Sequence, residues 1–204
     1  MKLIPVARWL RINLLLFVLF FFLVGILVSL FPEAMLSLFG KWALVMQAVG
    51  AKSAGQFGSQ AEMFTHILTM NAVTLVIFVL VGLLLQAPLA MPFLAAFYGL
   101  VAFLAPTTMG RPFSFADWLL VGVESFTLIL GASVSSGLAA DLYGVSHSFR
   151  GLVEYWKKSW KRLLPTPVPH WREVFREWQV TMVTAVVTLA ALSVFVAWFE
   201  TYGY

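Results

Sequence analysis

The chain has 204 residues, 61% of them hydrophobic and 11% charged, with a net charge of +4 and no cysteine; its mean hydropathy is +0.93. Soluble domains are about 45–50% apolar and about 25% charged, so this composition excludes an ordinary soluble core and points to an integral membrane protein. Without cysteine there are no disulfides or thiolate metal sites. The basic excess, concentrated between 150 and 176, argues for cytoplasmic orientation and contact with anionic lipid headgroups and against nucleic acid as a partner.

In chain order, five apolar runs approach the roughly 20 residues needed to cross a bilayer, at about 13–31, 64–85, 89–105, 117–139 and 179–199. The first, "NLLLFVLFFFLVGILVSLF", follows Lys2, Arg8 and Arg11. It is longer than the apolar region of a signal peptide and lacks a small-residue cleavage site, so a retained anchor is expected. Next, "PEAMLSLFGKWALVMQAVG" reads as an outer interfacial or re-entrant helix over 33–49, with Pro32 suited to a first helical turn and Glu33 beside the positive helix end. The expected fold is all-α: one integral membrane domain, 1–204, built as a polytopic transmembrane helix bundle of about five spans with interfacial amphipathic helices.

Between the fourth and fifth spans lies a basic amphipathic segment, 146–178. In "SFRGLVEYWKKSWKRLL" the residues Phe149, Leu152, Val153, Trp156, Trp160 and Leu163 recur at helical spacing, while Lys157, Lys158, Lys161 and Arg162 fall on other faces. Two accounts fit this pattern. Trp156, Trp160 and the four basic residues meet the headgroup plane, or the helix packs on the cytoplasmic face of the protein itself. "PTPVP" then breaks the helix, and a second short amphipathic stretch with Trp171, Val174, Phe175 and Trp178 leads into the last span. Lys and Arg near the span ends predict a cytoplasmic N-terminus and 140–178 segment, with the C-terminus outside.

Glu124 is the most informative polar residue within a span. An ionised carboxylate at a helix centre in lipid costs roughly 2.5–3.5 kcal/mol, so this one is expected to face protein or water. Helical steps from it reach Leu128, Gly131, Ser135 and Leu138, with Ala132, Ser136 and Ala140 alongside, a small-residue face that lets a second helix approach closely. Counted from the outer span ends, Asn71 and Glu200 fall on the level of Glu124, with His66 nearby. A polar intramembrane cluster of Asn71, Glu124, Glu200 and His66 is predicted, in which the Glu124 carboxyl hydrogen-bonds to Asn71. Thr181, Thr184 and Thr188 form a polar stripe on the last span, read as a helix interface.

"FTHILTMNAVTLVIFVLVGLLL", "ADWLLVGVESFTLILGASVSSGLA" and the ending "TLAALSVFVAWFETYGY" together resemble the stage II sporulation protein M (SpoIIM) family over about residues 60–204. The shared features are an Asn early in one helix, a Glu followed by a small-residue helix, and a terminal Ala-rich helix closing on Glu. Asn71, Glu124 and Glu200 take the family's polar places. Where the family often has Pro-His-Gly before the helix Glu this chain has Leu119, Leu120 and Val121, and Tyr98-Gly99 stands for its Asn-Gly. The resemblance implies a multi-pass membrane protein without established enzymatic activity.

Catalytic chemistry is not expected. Ser125, Ser133, Ser135 and Ser136 suit helix packing, and no spacing ties them to a histidine. His66, His147 and His170 lie on opposite sides of the membrane in this topology, so they cannot form one metal site; no metal or other cofactor is expected. Two function classes remain. One is a non-catalytic scaffold or complex subunit in a prokaryotic inner membrane, with anionic lipid, other membrane or envelope proteins, or a second copy of the chain as partners. The other is a transporter or channel component with an outward-facing polar cavity around Asn71, Glu124 and Glu200.

Overall fold

The structure, a computed structural model, describes residues 1–48, 56–159 and 167–203. Among the described residues it is all-helical: α1 (Leu3–Leu30), α2 (Pro32–Ala48), α3 (Gln60–Leu83), α4 (Ala87–Met109), α5 (Phe115–Leu142), α6 (Phe149–Ser159) and α7 (Trp171–Tyr202). Five of these, α1, α3, α4, α5 and α7, are long and apolar enough to cross a membrane.

All five spanning helices start before the predicted apolar runs, α1 and α7 by the widest margins. Helix α1 begins at Leu3 because Arg8 and Arg11 stay exposed while Val6, Trp9 and Asn13 turn inward on the same helix. Helix α7 absorbs the short amphipathic stretch before the last span, burying Val174 and Trp178 and leaving Trp171 and Phe175 exposed. At about 1.5 Å per residue α7 is about 48 Å long, more than the roughly 30 Å of a hydrocarbon core, so it projects beyond it.

Helix α5 occupies the centre and packs against α1, α3, α4 and α7. It does so because its surface is small: Gly131, Ala132, Ser135, Ser136, Gly137, Ala139 and Ala140 are all buried. A Cβ placed on Gly82 of α3 would lie 2.5 Å from the Ala132 carbonyl and collide with the Ser135 hydroxyl, so these two backbones meet where only glycine fits. On its other side α5 joins α1 and α4 in an apolar cluster containing Phe17, Met91, Tyr98, Leu128 and Ile129. The predicted packing face, Gly131, Ala132, Ser135 and Ser136, is therefore buried against neighbouring helices. Ser136 Oγ donates to the Gly82 carbonyl at 3.3 Å, and Ser125, Ser133 and Ser135 donate to carbonyls within α5.

The chain turns are closed by local hydrogen bonds. Ser114 and Asp117 form a capping box at the start of α5, and Arg111 grips the Asp117 carboxylate with two bonds of 2.6 and 3.1 Å. At the far end of α5, Gly144 takes φ +64, which lets Val145 N–H reach the Ala140 carbonyl at 2.7 Å. The α3–α4 turn has the same shape with a less suitable residue, since Leu85 holds φ 56. A left-handed residue other than glycine costs about 1–2 kcal/mol. Leu85 is fully buried against α1, α5 and α6, and its carbonyl accepts the Trp156 indole N–H at 3.0 Å.

That bond decides between the two accounts of the amphipathic segment for Trp156 and corrects its placement in the headgroup plane. Trp156 does not face lipid: with Leu152 fully buried and Tyr155 stacked on Tyr143, it docks α6 onto the bundle. The physical reason is the free Leu85 carbonyl at the turn, which an indole donor satisfies and a lipid tail cannot. Lys157 and Lys158 are exposed, while Trp160, Lys161 and Arg162 lie outside the described residues. The threonine stripe is corrected too. Thr181 is buried and accepts from the Lys2 backbone N–H at 2.8 Å, but Thr184 and Thr188 are exposed, and Thr188 donates to the Thr184 carbonyl of its own helix.

Candidate functional site

The capping box orients α5 so that Glu124, seven residues beyond Asp117, points into the bundle about two turns below the helix start. At the junction of α3, α5 and α7 the residues Asn71, Thr74, Glu124, Thr127, Leu128, Ser193 and Val196 enclose a cavity of ≈ 20 Å³. That is room for about one water-sized occupant.

The predicted Asn71–Glu124 hydrogen bond is not made. Both residues line the cavity, but Asn71 Nδ2 is buried without a hydrogen-bond partner. The Glu124 carboxyl instead interacts with the Tyr98 hydroxyl on α4, a side chain only 3% exposed. The phenol is long enough to carry its hydroxyl across from α4, whereas the shorter carboxamide ends at the cavity wall. Glu200 lies one turn beyond Val196 on α7, close enough to Glu124 for the two carboxyl charges to interact. His66 does not join the cluster: its ring packs on Phe57 with centroids 5.3 Å apart and it lines a separate open groove with Glu62, Thr65 and Thr69. Five positions along α3 from Asn71, it faces a different side of the helix.

Three polar lining residues escaped the sequence reading although helical spacing contained the signal. Thr74 and Thr127 follow Asn71 and Glu124 by three residues each, and Ser193 precedes Glu200 by seven, so each shares a face with a residue already singled out. The hydroxyls of Thr74 and Thr127 donate to their own helices, to Met70 at 2.9 Å and Val123 at 2.7 Å.

At the opposite end of the bundle a second polar network joins four segments. Asp141, near the end of α5, accepts from Trp178 Nε1 at 2.8 Å on one oxygen and from His147 Nε2 at 2.7 Å on the other. His147 Nδ1 accepts from Trp9 Nε1 at 3.0 Å. Lys2 approaches Asp141 at 3.5 Å and pairs with Glu177 at 2.6 Å. The Glu177 hydrogen bond, joined by the Asp141 charge and opposed by partial burial, raises the Lys2 amine above its ordinary value. Both indoles are fully buried, so each donor needs its partner. Among the described residues no group of three or more His, Asp or Glu could hold a metal ion.

Comparisons of the chain with protein-family models, curated proteins and solved structures give no match. The fold and site define a class: a multi-pass, all-helical membrane protein whose intramembrane polar side chains meet where α3, α5 and α7 converge.

Proposed function

We propose that the chain is a non-catalytic scaffold or subunit of a membrane complex, SpoIIM-like, in a prokaryotic inner membrane with its N-terminus and α6 cytoplasmic and its C-terminus outside. The observation that carries this reading is the closeness of the central packing. Gly82 sits against Ala132 and Ser135, and the polar groups at the α3–α5–α7 junction enclose only ≈ 20 Å³. A solute pathway needs a larger polar cavity than that. Such a bundle offers partners its outer surfaces: the apolar flanks of α1, α3 and α7, and the basic end carrying Arg8, Arg11, Arg172 and Arg176.

Native purification after crosslinking in the source membrane tests the reading. A membrane or envelope protein, or a second copy of the chain, is expected in fixed stoichiometry, and Glu124→Gln retains it. Solute flux through the purified chain in liposomes, lost in a well-folded Glu124→Gln variant, would instead establish the transporter. Orientation is checked in the same membranes, since the chain has no cysteine of its own. Single cysteines at the exposed positions Ala61 and Lys158 react with an impermeant reagent in intact cells at Ala61 and not at Lys158.

A further inference from the structure

We propose that the cavity between α3, α5 and α7 binds one small dehydrated monovalent cation of the sodium class, held by oxygens of Glu124, Asn71, Thr74, Thr127 and Ser193 as a fixed counter-charge inside the bundle.

The Thr74 and Thr127 protons are already used on the Met70 and Val123 carbonyls, so toward the cavity these hydroxyls offer lone pairs. Ser193 is 7% exposed, lines the cavity, and has no hydrogen-bond partner among the described residues. Glu124 adds a carboxyl oxygen beyond the one that faces Tyr98.

Asn71 supplies the last oxygen. Its buried amide end has no partner as a nitrogen. A half-turn of the carboxamide exchanges the nitrogen for the oxygen, which faces a cation favourably.

With the Asn71 oxygen turned inward, a water in this space has two protons to give against Glu124, Asn71, Thr74 and Thr127 as acceptors, and the Ser193 hydroxyl adds a donor of its own, whereas a hard cation satisfies all five oxygens together. The size, ≈ 20 Å³, admits one bare ion and no hydration shell. The sign of the charge follows from the surroundings: one carboxyl lines the wall, Glu200 lies close by, and no Lys or Arg lines it, so a cation is favoured, and a single carboxyl in direct contact suits a single positive charge. The inference goes beyond the scaffold reading, whose test is partner stoichiometry and not cation dependence.

The experiment melts the purified full-length chain in lipid nanodiscs in NaCl, LiCl, KCl and N-methylglucamine chloride at equal ionic strength. A ligand that binds the folded state raises the midpoint in a saturable way. Sodium is expected to do so relative to N-methylglucamine. Ser193→Ala and Thr74→Val each raise the sodium concentration for half-effect roughly tenfold, and Glu124→Gln abolishes the response. Identical melting in all four salts would overturn the proposal in favour of a water or a proton. A sodium-specific rise left unchanged in both Ser193→Ala and Thr74→Val would overturn it as well, by locating the ion elsewhere. If Glu124→Gln does not fold, the two hydroxyl variants decide, since each removes one oxygen and nearly preserves side-chain volume.

Discussion

The indole N–H of Trp9 donates to Nδ1 of His147 at 3.0 Å, across 138 positions of sequence. An indole nitrogen can only donate, so Nδ1 must accept and carries no proton; the ring proton sits on Nε2, which donates to Asp141 at 2.7 Å. One tautomer thus connects the start of α1 to the end of α5, and the second Asp141 oxygen extends the link to Trp178 on α7.

Trp9→Phe keeps an aromatic ring in a fully buried site and removes the donor, leaving His147 Nδ1 without its partner. The expected loss is about 1–3 kcal/mol, read as a lower unfolding midpoint in nanodiscs. Nitrogen NMR of the ring should report the Nε2–H form in the parent chain; an Nδ1–H signal there would contradict the arrangement.

Helix packing at Gly82 gives a second test. Gly82→Ala pushes a methyl into Ser135 and the Ala132 carbonyl and is expected to cost about 1–3 kcal/mol through overpacking. Gly122→Ala, on the exposed face of α5 with nothing within 4 Å of the added methyl, serves as control. It should be neutral or stabilising by up to about 1 kcal/mol. Equal effects at the two positions would argue against a close α3–α5 contact.

Docking of α6 depends on Trp156. Trp156→Phe leaves the Leu85 carbonyl unpaired at a strained turn, so α6 should detach more often and trypsin should cut faster after Lys157 and Lys158. The bond itself is worth about 0.5–1.5 kcal/mol. Unchanged cleavage would mean that burial of Leu152 suffices to hold the helix.

The exposed pair Lys157 and Lys158 is predicted to recruit anionic lipid, each charge contributing on the order of 1 kcal/mol near a membrane surface. Lys157→Gln with Lys158→Gln should lower the anionic lipid retained through purification, measured by native mass spectrometry, and flatten its dependence on salt. Retention equal to that of the parent chain would assign the lysines another role.

The Lys2 amine yields a pH prediction. Its folded value lies above 10.5, its ordinary value, chiefly through the Glu177 hydrogen bond. The stabilisation is therefore complete below about pH 10.5 and disappears as pH rises through the raised folded value. Both side chains are partly exposed, which keeps the contribution at about 1 kcal/mol or less. The midpoint difference between the parent chain and Lys2→Met should stay constant from pH 7 to 9 and shrink above about 10.5; a difference that grows with alkali would reverse the assignment.

What the sequence determined by itself is what depends on neighbours along the chain. The five spans follow from uninterrupted apolar length, and the packing face of α5 follows from small residues recurring at helical spacing around Gly131, Ala132, Ser135 and Ser136. Even the cavity threonines were legible in principle, because a three-residue step from Asn71 or Glu124 stays on the same face.

Partners across helices were decided only by the tertiary structure. Depth along a span placed Asn71, Glu124 and Glu200 on one level, but the rotation of α4 and α5 about their axes selected the Tyr98 hydroxyl for Glu124 and left Asn71 at the cavity wall. Likewise Trp156 carries the same amphipathic pattern whether its indole meets a headgroup or a carbonyl. The left-handed turn at Leu85, visible only once α3 and α4 are folded back on each other, supplied the acceptor that settled it. Helical periodicity constrains the face of one helix, whereas a hydrogen bond between helices requires the relative rotation of two.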